Sequence, residues 1–468
     1  MQVWFDVEDF FVYAAHTARP SGIQRLAFEL QRAMLDIAPG TTHFVRHGKS
    51  ETGFVTVPFA EVETLFASLA QPTVYPDAED HRPAHADDPA PRPGRLRRGV
   101  SRTMARLPPD IASSLRRFRT HQTRAFCALF QVARSSVATV RSRPKRNGRN
   151  LTGRDGYRAL ETIAAPGDWL VVAGSSWALE NYAERIGAVR SRIGMRFALL
   201  MCDVIPVRRP EWCDRNVTRA FKAWHRDVLP LADRVLAISR NTARDVERYA
   251  AEADIRLRGP VHPVPVGAGF GRMPAETRTR RLPPPGSFVL VVSTIEARKN
   301  HALLVRVWRE LLETMPKDKV PTLIFAGRIG WMVADLLQQL ENADWLGGRI
   351  RLIDSPDDGE LAALYRDCLF TVFPSLYEGW GLPVTESLAF GTPCLAANTT
   401  SLPEAGGTFA RYFDPDDLHD AVRAVRAVLD DPAGLQAWRE DIRRNFRPVP
   451  WTDSAASLLR LLERESRP

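Results

Sequence analysis

Short apolar, β-branched runs alternate along this chain with longer stretches whose apolar residues recur at steps of three and four. In the first half, 3–6, 169–173, 196–201 and 233–239 read as strands; in the second half, 288–292, 323–327, 350–353 and 369–373 do. Runs that are apolar throughout suit strands buried on both faces, as in parallel sheets flanked by helices. The 169–173 run ends in Gly174-Ser-Ser-Trp177, and 196–201 leads to Asp203-Val-Ile-Pro206. Ligands of open α/β sheets gather outside such carboxyl-terminal strand ends. Between the first strand and a periodic helix running through Met34 comes Pro20-Ser-Gly-Ile-Gln-Arg25, where Gly22 permits close backbone approach to a ligand. Ser239, followed by Thr242 and Asp245, reads as a helix cap.

A Pro-rich linker, Arg280-Arg-Leu-Pro-Pro-Pro-Gly286, divides the pattern. The fold class is α/β, with two Rossmann-like domains whose parallel sheets face each other across a cleft. The expected divisions are 1–279, 280–446 and a last helical piece, 447–468.

Composition agrees with two globular domains, at 468 residues and 44% hydrophobic. No apolar run approaches the roughly 18 to 20 residues a membrane span needs. The N-terminal Met-Gln-Val-Trp-Phe-Asp lacks a basic region followed by an apolar core, so no signal peptide is expected. The five cysteines follow no metal-ligand spacing, which suggests a cytoplasmic protein without disulfides or zinc.

Charge changes the picture. The net +9 is concentrated between Arg92 and Arg149, where sixteen basic residues accompany one acid, Asp110. This marks an insertion at about 78–150. Within it Ile111, Leu115, Phe118, Phe126, Leu129, Ala133, Val137 and Val140 trace an apolar stripe with arginines mostly elsewhere, a basic amphipathic helix or helix pair. Such a segment either packs on the first domain with a solvated basic rim or lies on an anionic membrane surface, which would make the protein peripheral on the inner face of the membrane. No nucleic-acid motif or stacking platform accompanies it, so no nucleic-acid partner is expected.

The richest chemistry is in Phe373-Pro-Ser-Leu-Tyr-Glu378-Gly-Trp-Gly-Leu-Pro-Val-Thr-Glu386, which places two carboxylates eight positions apart around a Gly- and Pro-rich turn. Pro383 suits a first helical position and Gly391 a helix end, so the arrangement is strand, loop, helix N-terminus. Free backbone N–H groups there favour an anion. Glu386 is expected in the first helical turn and Glu378 in the loop, both directed at one ligand.

This segment resembles the E-x7-E signature of the retaining glycosyltransferases of family 4 and their GT-B relatives. Further matches, in order, are Pro265-Val-Gly267, Val292-Ser-Thr-Ile-Glu-Ala-Arg-Lys-Asn-His301 and Asp357-Asp-Gly-Glu-Leu-Ala-Ala-Leu-Tyr365. The resemblance covers most of the chain outside the basic insertion. It implies the GT-B architecture, a nucleotide-sugar donor, no cofactor, and a C-terminal helix that crosses back to the first domain. It also implies that Glu378 binds the transferred sugar and stabilises its cationic centre, and that Glu386 binds the ribose. Arg298 and Lys299 would balance charge on the leaving diphosphate, aided by the backbone of Gly379, Trp380, Gly381 and Leu382. Two positions depart from the family: Cys202 stands where relatives carry histidine before Asp203, and Ser293 where some carry an arginine.

The implied reaction is retaining hexosyl transfer by front-side attack, with Asp203 orienting the acceptor. No metal is expected, since Asp414-Pro-Asp416 suits helix capping. The segment around Arg298 is similar to that of bacterial mannosyltransferases of surface polysaccharide synthesis, which favours a GDP-sugar such as GDP-mannose over a UDP-sugar. A lipid-linked or oligosaccharide acceptor would follow. Two other readings are a GT-B epimerase or phosphorylase, and a sugar-nucleotide-binding or scaffold protein without turnover.

Overall fold

In a computed structural model, residues 1–15, 20–48, 53–70, 157–270 and 277–464 are described. The basic insertion and its amphipathic stripe lie outside the described residues. The first sheet contains β1 (Val3–Asp6), β2 (Thr42–His47), β3 (Phe54–Thr56), β4 (Trp169–Val172), β5 (Arg196–Met201), β6 (Arg234–Ala237) and β7 (Val261–Pro263). Their order is β3-β2-β1-β4-β5-β6-β7, parallel except where β3 pairs with β2.

The second sheet contains β8 (Phe288–Val292), β9 (Thr322–Ala326), β10 (Ile350–Ile353), β11 (Thr371–Phe373), β12 (Cys394–Ala397) and β13 (Arg411–Phe413). It is parallel throughout, in the order β10-β9-β8-β11-β12-β13. The chain thus forms the expected pair of parallel-sheet α/β domains. Direction of strand addition reverses between β1 and β4 in one sheet and between β8 and β11 in the other. These switch points leave crevices at the carboxyl ends of the strands.

Both faces of each sheet are covered. β1 and β4 are buried at every position, as are Phe288, Val289, Leu290 and Val291 of β8. The helix Gly22–Ile37 lies against the C-terminal helix Trp451–Glu463, so Trp451, Ala455, Leu458 and Leu462 complete the core of the first lobe. Gly267 makes this docking feasible, because a Cβ there would stand 2.3 Å from the Trp451 ring.

Both sheets belong to one compact unit, and specific polar contacts join them. Arg25 pairs with Asp358 at 2.6 Å, and the Trp331 indole donates to the Trp212 carbonyl at 2.9 Å. The backbone N–H groups of Arg240 and Asn241, opening the helix Arg240–Glu252, donate to Glu404 at 2.9 and 2.8 Å. Among the described residues, no helix is long and apolar enough to cross a membrane.

Candidate active site

Two loops leave adjacent strand ends at the switch point of the second sheet. One follows β8 and contains the turn Ala297–Lys299; the other follows β11 and leads to the helix Leu382–Ala389. The Leu376 amide donates to the Arg298 carbonyl at 3.0 Å and ties them together. Asn300, at φ +55°, turns the first loop into the helix His301–Thr314.

This junction sets Glu378 between two cations. Lys299 Nζ lies 2.5 Å from Oε1 and Arg298 Nη1 2.8 Å from Oε2. Arg298 also reaches Glu296 and the Tyr377 carbonyl, both at 2.6 Å, so both terminal nitrogens of its guanidinium are engaged. The second loop is pinned from beneath: Glu378 N donates to Thr400 Oγ1, while Ser401 Oγ donates to the carbonyls of Glu378 and Trp380.

Burial would raise the pKa of Glu378, but the charges of Arg298 and Lys299 outweigh it and hold the carboxyl near 2. Burial lowers Lys299, against the pull of Glu378. The group therefore sets opposite charges against one another in a poorly solvated place, where electrostatic interactions are strong.

The second glutamate stands elsewhere. The expectation that Glu386 lies in the first helical turn is not met: the helix begins at Leu382, with Pro383 second, which makes Glu386 its fifth residue. At that depth it is buried and accepts the Tyr365 hydroxyl at 2.8 Å. Burial raises its pKa, and the nearby Arg25 charge partly offsets this. Glu378 and Glu386 thus have separate polar partners and do not share a hydrogen-bonding group.

The glycines of the second loop serve close packing. Gly379 lies so near the first lobe that a Cβ would be 2.0 Å from the Cys202 carbonyl, and its own carbonyl accepts the Thr242 hydroxyl at 3.1 Å. Gly381 adopts φ +120°, and Gly391, at φ +69°, follows the helix end at Phe390. Gly22 is the first residue of its helix rather than part of a loop, 3.7 Å from the Leu382 side chain when given a Cβ. Trp380 packs against the cores of both lobes.

Asp203 uses one oxygen to accept the Ile205 amide at 3.0 Å. Burial raises its pKa, while Arg298 lowers it, which brings it into the electrostatic field of the site. Ser293 contacts His301 at 3.2 Å. The capping role given to Asp414 and Asp416 belongs instead to Asp417, which accepts from His419 N and Asp420 N. Asp414 accepts from Asp416 N at 2.9 Å, a local Asx turn. Among the described residues no His, Cys, Asp or Glu group is arranged to hold a metal ion.

Residues 274–445 match the family model for Glycosyl transferases group 1. This part of the chain is a glycosyl transferases group 1 domain. Arg298, Lys299, Glu378 and Glu386 all lie in the group 1 domain, whereas Gly22 and Asp203 reach it from the other lobe. The serotype-specific mannosyltransferase WbdA of Escherichia coli is 28% identical over 275 residues, covering 56% of this chain and 32% of WbdA. O-antigen chain mannosyltransferase B of Escherichia coli is 36% identical over 155 residues, 33% of this chain and 38% of that protein. The chain thus spans about a third of the length of these relatives. Among solved structures, sucrose-phosphate synthase from Thermosynechococcus elongatus aligns with a TM-score of 0.46 at 20% identity, covering 63% of this chain and 72% of that one.

Sequence reasoning missed Glu296, Tyr365, Tyr377, Arg25 and Asp358 as partners of the site. Glu296 and Tyr377 adjoin residues already singled out, so their proximity was the available signal. Arg25 with Asp358 had none, because an ion pair across 333 positions leaves no periodic trace.

Proposed function

We propose that the chain is a retaining glycosyltransferase that moves a hexose, mannose from GDP-mannose, to a lipid-linked or polysaccharide acceptor at the cytoplasmic side of a membrane. The observation that carries this reading is Glu378 held between Lys299 and Arg298 within the group 1 domain. The mannosyltransferase names of its relatives support the choice of donor.

Departure of a nucleoside diphosphate leaves negative charge on oxygen and positive charge on the anomeric carbon. In the proposed cycle the diphosphate takes over Lys299 and Arg298 from Glu378. Their charge then stabilises the leaving group, the kind of preorganised electrostatic contribution that dominates many enzymes. Glu378, released from its cations but held by its backbone contacts, faces the sugar and stabilises the cationic centre. The acceptor hydroxyl attacks from the face that the diphosphate leaves, passing its proton to that leaving group, while Asp203 orients the acceptor. Glu386 holds the ribose.

Incubating the purified chain with GDP-mannose, GDP-glucose, UDP-glucose and UDP-N-acetylglucosamine, with alkyl glycosides as acceptors, tests the reading. GDP release and a mannosylated product of retained configuration are expected, both largely lost in Glu378→Gln. No turnover of any donor would overturn it and favour a binding protein.

A further inference from the structure

A second polar cluster occupies the switch point of the first sheet, and the site described above does not use it. Asp9 stands just beyond β1 on the helix Glu8–Ala14, opposite the loop that follows β4. Its Oδ2 accepts the Ser175 amide at 3.1 Å. Its Oδ1 is buried and has no hydrogen-bond partner, in a residue only 4% exposed. Leaving a buried carboxylate oxygen unmet is costly, so it calls for a water or a ligand. The neighbouring carboxylate, by contrast, is fully engaged: Asp6 accepts from the Tyr182 hydroxyl and the Glu8 amide and meets His47.

The cluster reaches the cleft. Ser175 Oγ accepts from Gln24 Nε2 at 2.9 Å, and Gln24 is bonded to Ser21, the residue before Gly22, which faces Leu382 of the group 1 domain. Gly174 is shaped around the carboxylate, since a Cβ there would lie 2.0 Å from Asp9 Oδ2. Burial, with repulsion from Asp6 and Glu8, pushes the Asp9 carboxyl up to about 7, although the Ser175 amide lowers it. A carboxyl poised there can accept or donate a hydrogen bond near neutral pH. Alongside it stand uncharged hydrogen-bonding side chains, Gln24 and Ser175, and this mixture suits hydroxyl groups better than a compact cation.

We infer that Asp9 is an acceptor-binding residue, whose free oxygen receives a hydroxyl of a sugar acceptor at the carboxyl ends of β1 and β4. This rests on the transferase reading and assigns a role that Asp203 does not fill: Asp203 feels the charges of Arg298 and Glu378, while Asp9 stands against Gly174 and Ser175. Its task would be to hold the acceptor sugar by a hydroxyl other than the one that reacts.

The test uses the full chain, GDP-mannose as donor, and octyl α-D-mannopyranoside and octyl β-D-glucopyranoside as acceptors, comparing transfer with hydrolysis of the same donor. Asp9→Asn keeps the shape and exchanges hydrogen-bonding character. It should lower the ratio of transfer to hydrolysis at least 30-fold, chiefly through a raised acceptor KM. Gly174→Ala, which displaces the carboxylate without altering charge, should lower the same ratio and serves if the Asn variant does not fold. An unchanged ratio in both, whether the two rates fall together or neither falls, would make Asp9 a structural group satisfied by water and overturn the inference. Wild-type hydrolysis without transfer to either glycoside would overturn the ligand class. Absence of both activities would instead remove the transferase reading beneath it.

Discussion

Tyr377 donates its hydroxyl to Asp245 of the opposite lobe at 2.5 Å, one residue before the glutamate that Lys299 and Arg298 hold. The contact therefore couples the approach of the lobes to the position of Glu378. Asp245 also accepts Asn241 Nδ2 and is buried, so its carboxylate is held from its own lobe as well. Tyr377→Phe and Asp245→Ala should each raise donor KM about fivefold, in line with about 1 kcal/mol for one hydrogen bond. The double variant should be no worse than the poorer single one. Effects that multiply would show that the two side chains act independently.

Lys299→Ala should lower kcat by roughly a hundredfold, the usual loss when one preorganised electrostatic group is removed from a reacting centre. Because Arg298 has Glu296 as well as Glu378, it cannot simply take over both charges. Steady-state kinetics on a variant with unchanged circular dichroism checks this, and near-normal turnover would exclude a role for Lys299 in the chemistry.

Glu386→Ala should act mainly on KM. A ribose contact is shared by ground and transition states, and its loss weakens both alike. Binding of GDP, measured by calorimetry, should weaken in parallel, and a fall in kcat at unchanged KM would contradict the assignment.

Stability should depend on pH in opposite senses at two glutamates. Glu378, near 2 when folded against 4.5 when free, contributes stability that is present above about 4.5 and lost as pH falls toward 2. Glu29 is raised from 4.5 to about 7 by burial, which Arg32 and Arg25 only partly counter. Its contribution is present below about 4.5 and lost as pH rises through 7. Glu29→Gln should therefore raise Tm at pH 8 more than at pH 5, and Glu378→Gln should flatten the acid side of the Tm profile. Scanning calorimetry from pH 3 to 9 reads both slopes.

Transfer should persist in EDTA, since Arg298 and Lys299 supply fixed positive charge where a diphosphate would otherwise need a cation. Loss of product with chelator, restored by manganese or magnesium, would place a metal in the reaction.

How far the sequence was legible follows from what kind of pattern each feature leaves. Buried strands such as Phe288–Val292 announce themselves as unbroken apolar runs, and the loop from Tyr377 to Leu382 shows its glycines and proline directly. Two of the edge strands were hidden: β3 and β13 have three residues each and keep polar or exposed positions that suit loops equally well. Glu386 was set one position too early because Pro383 was given the first helical place, which Leu382 holds. The pairing of Lys299 with Glu378 could not be read at all, since it depends on β8 and β11 becoming neighbours across 79 positions of chain.

The docking of Trp451 into the space left by Gly267 has a consequence for the order in which the molecule can be completed. Val264, Val266 and the helix Gly22–Ile37 are made well before Trp451, Ala455, Leu458 and Leu462, which close over their apolar surface. During synthesis the early lobe must wait, with that seam uncovered, until the whole group 1 domain has emerged from the ribosome. The two lobes are consequently nested in time, and the helix Trp451–Glu463 works as a latch that seals the earlier lobe.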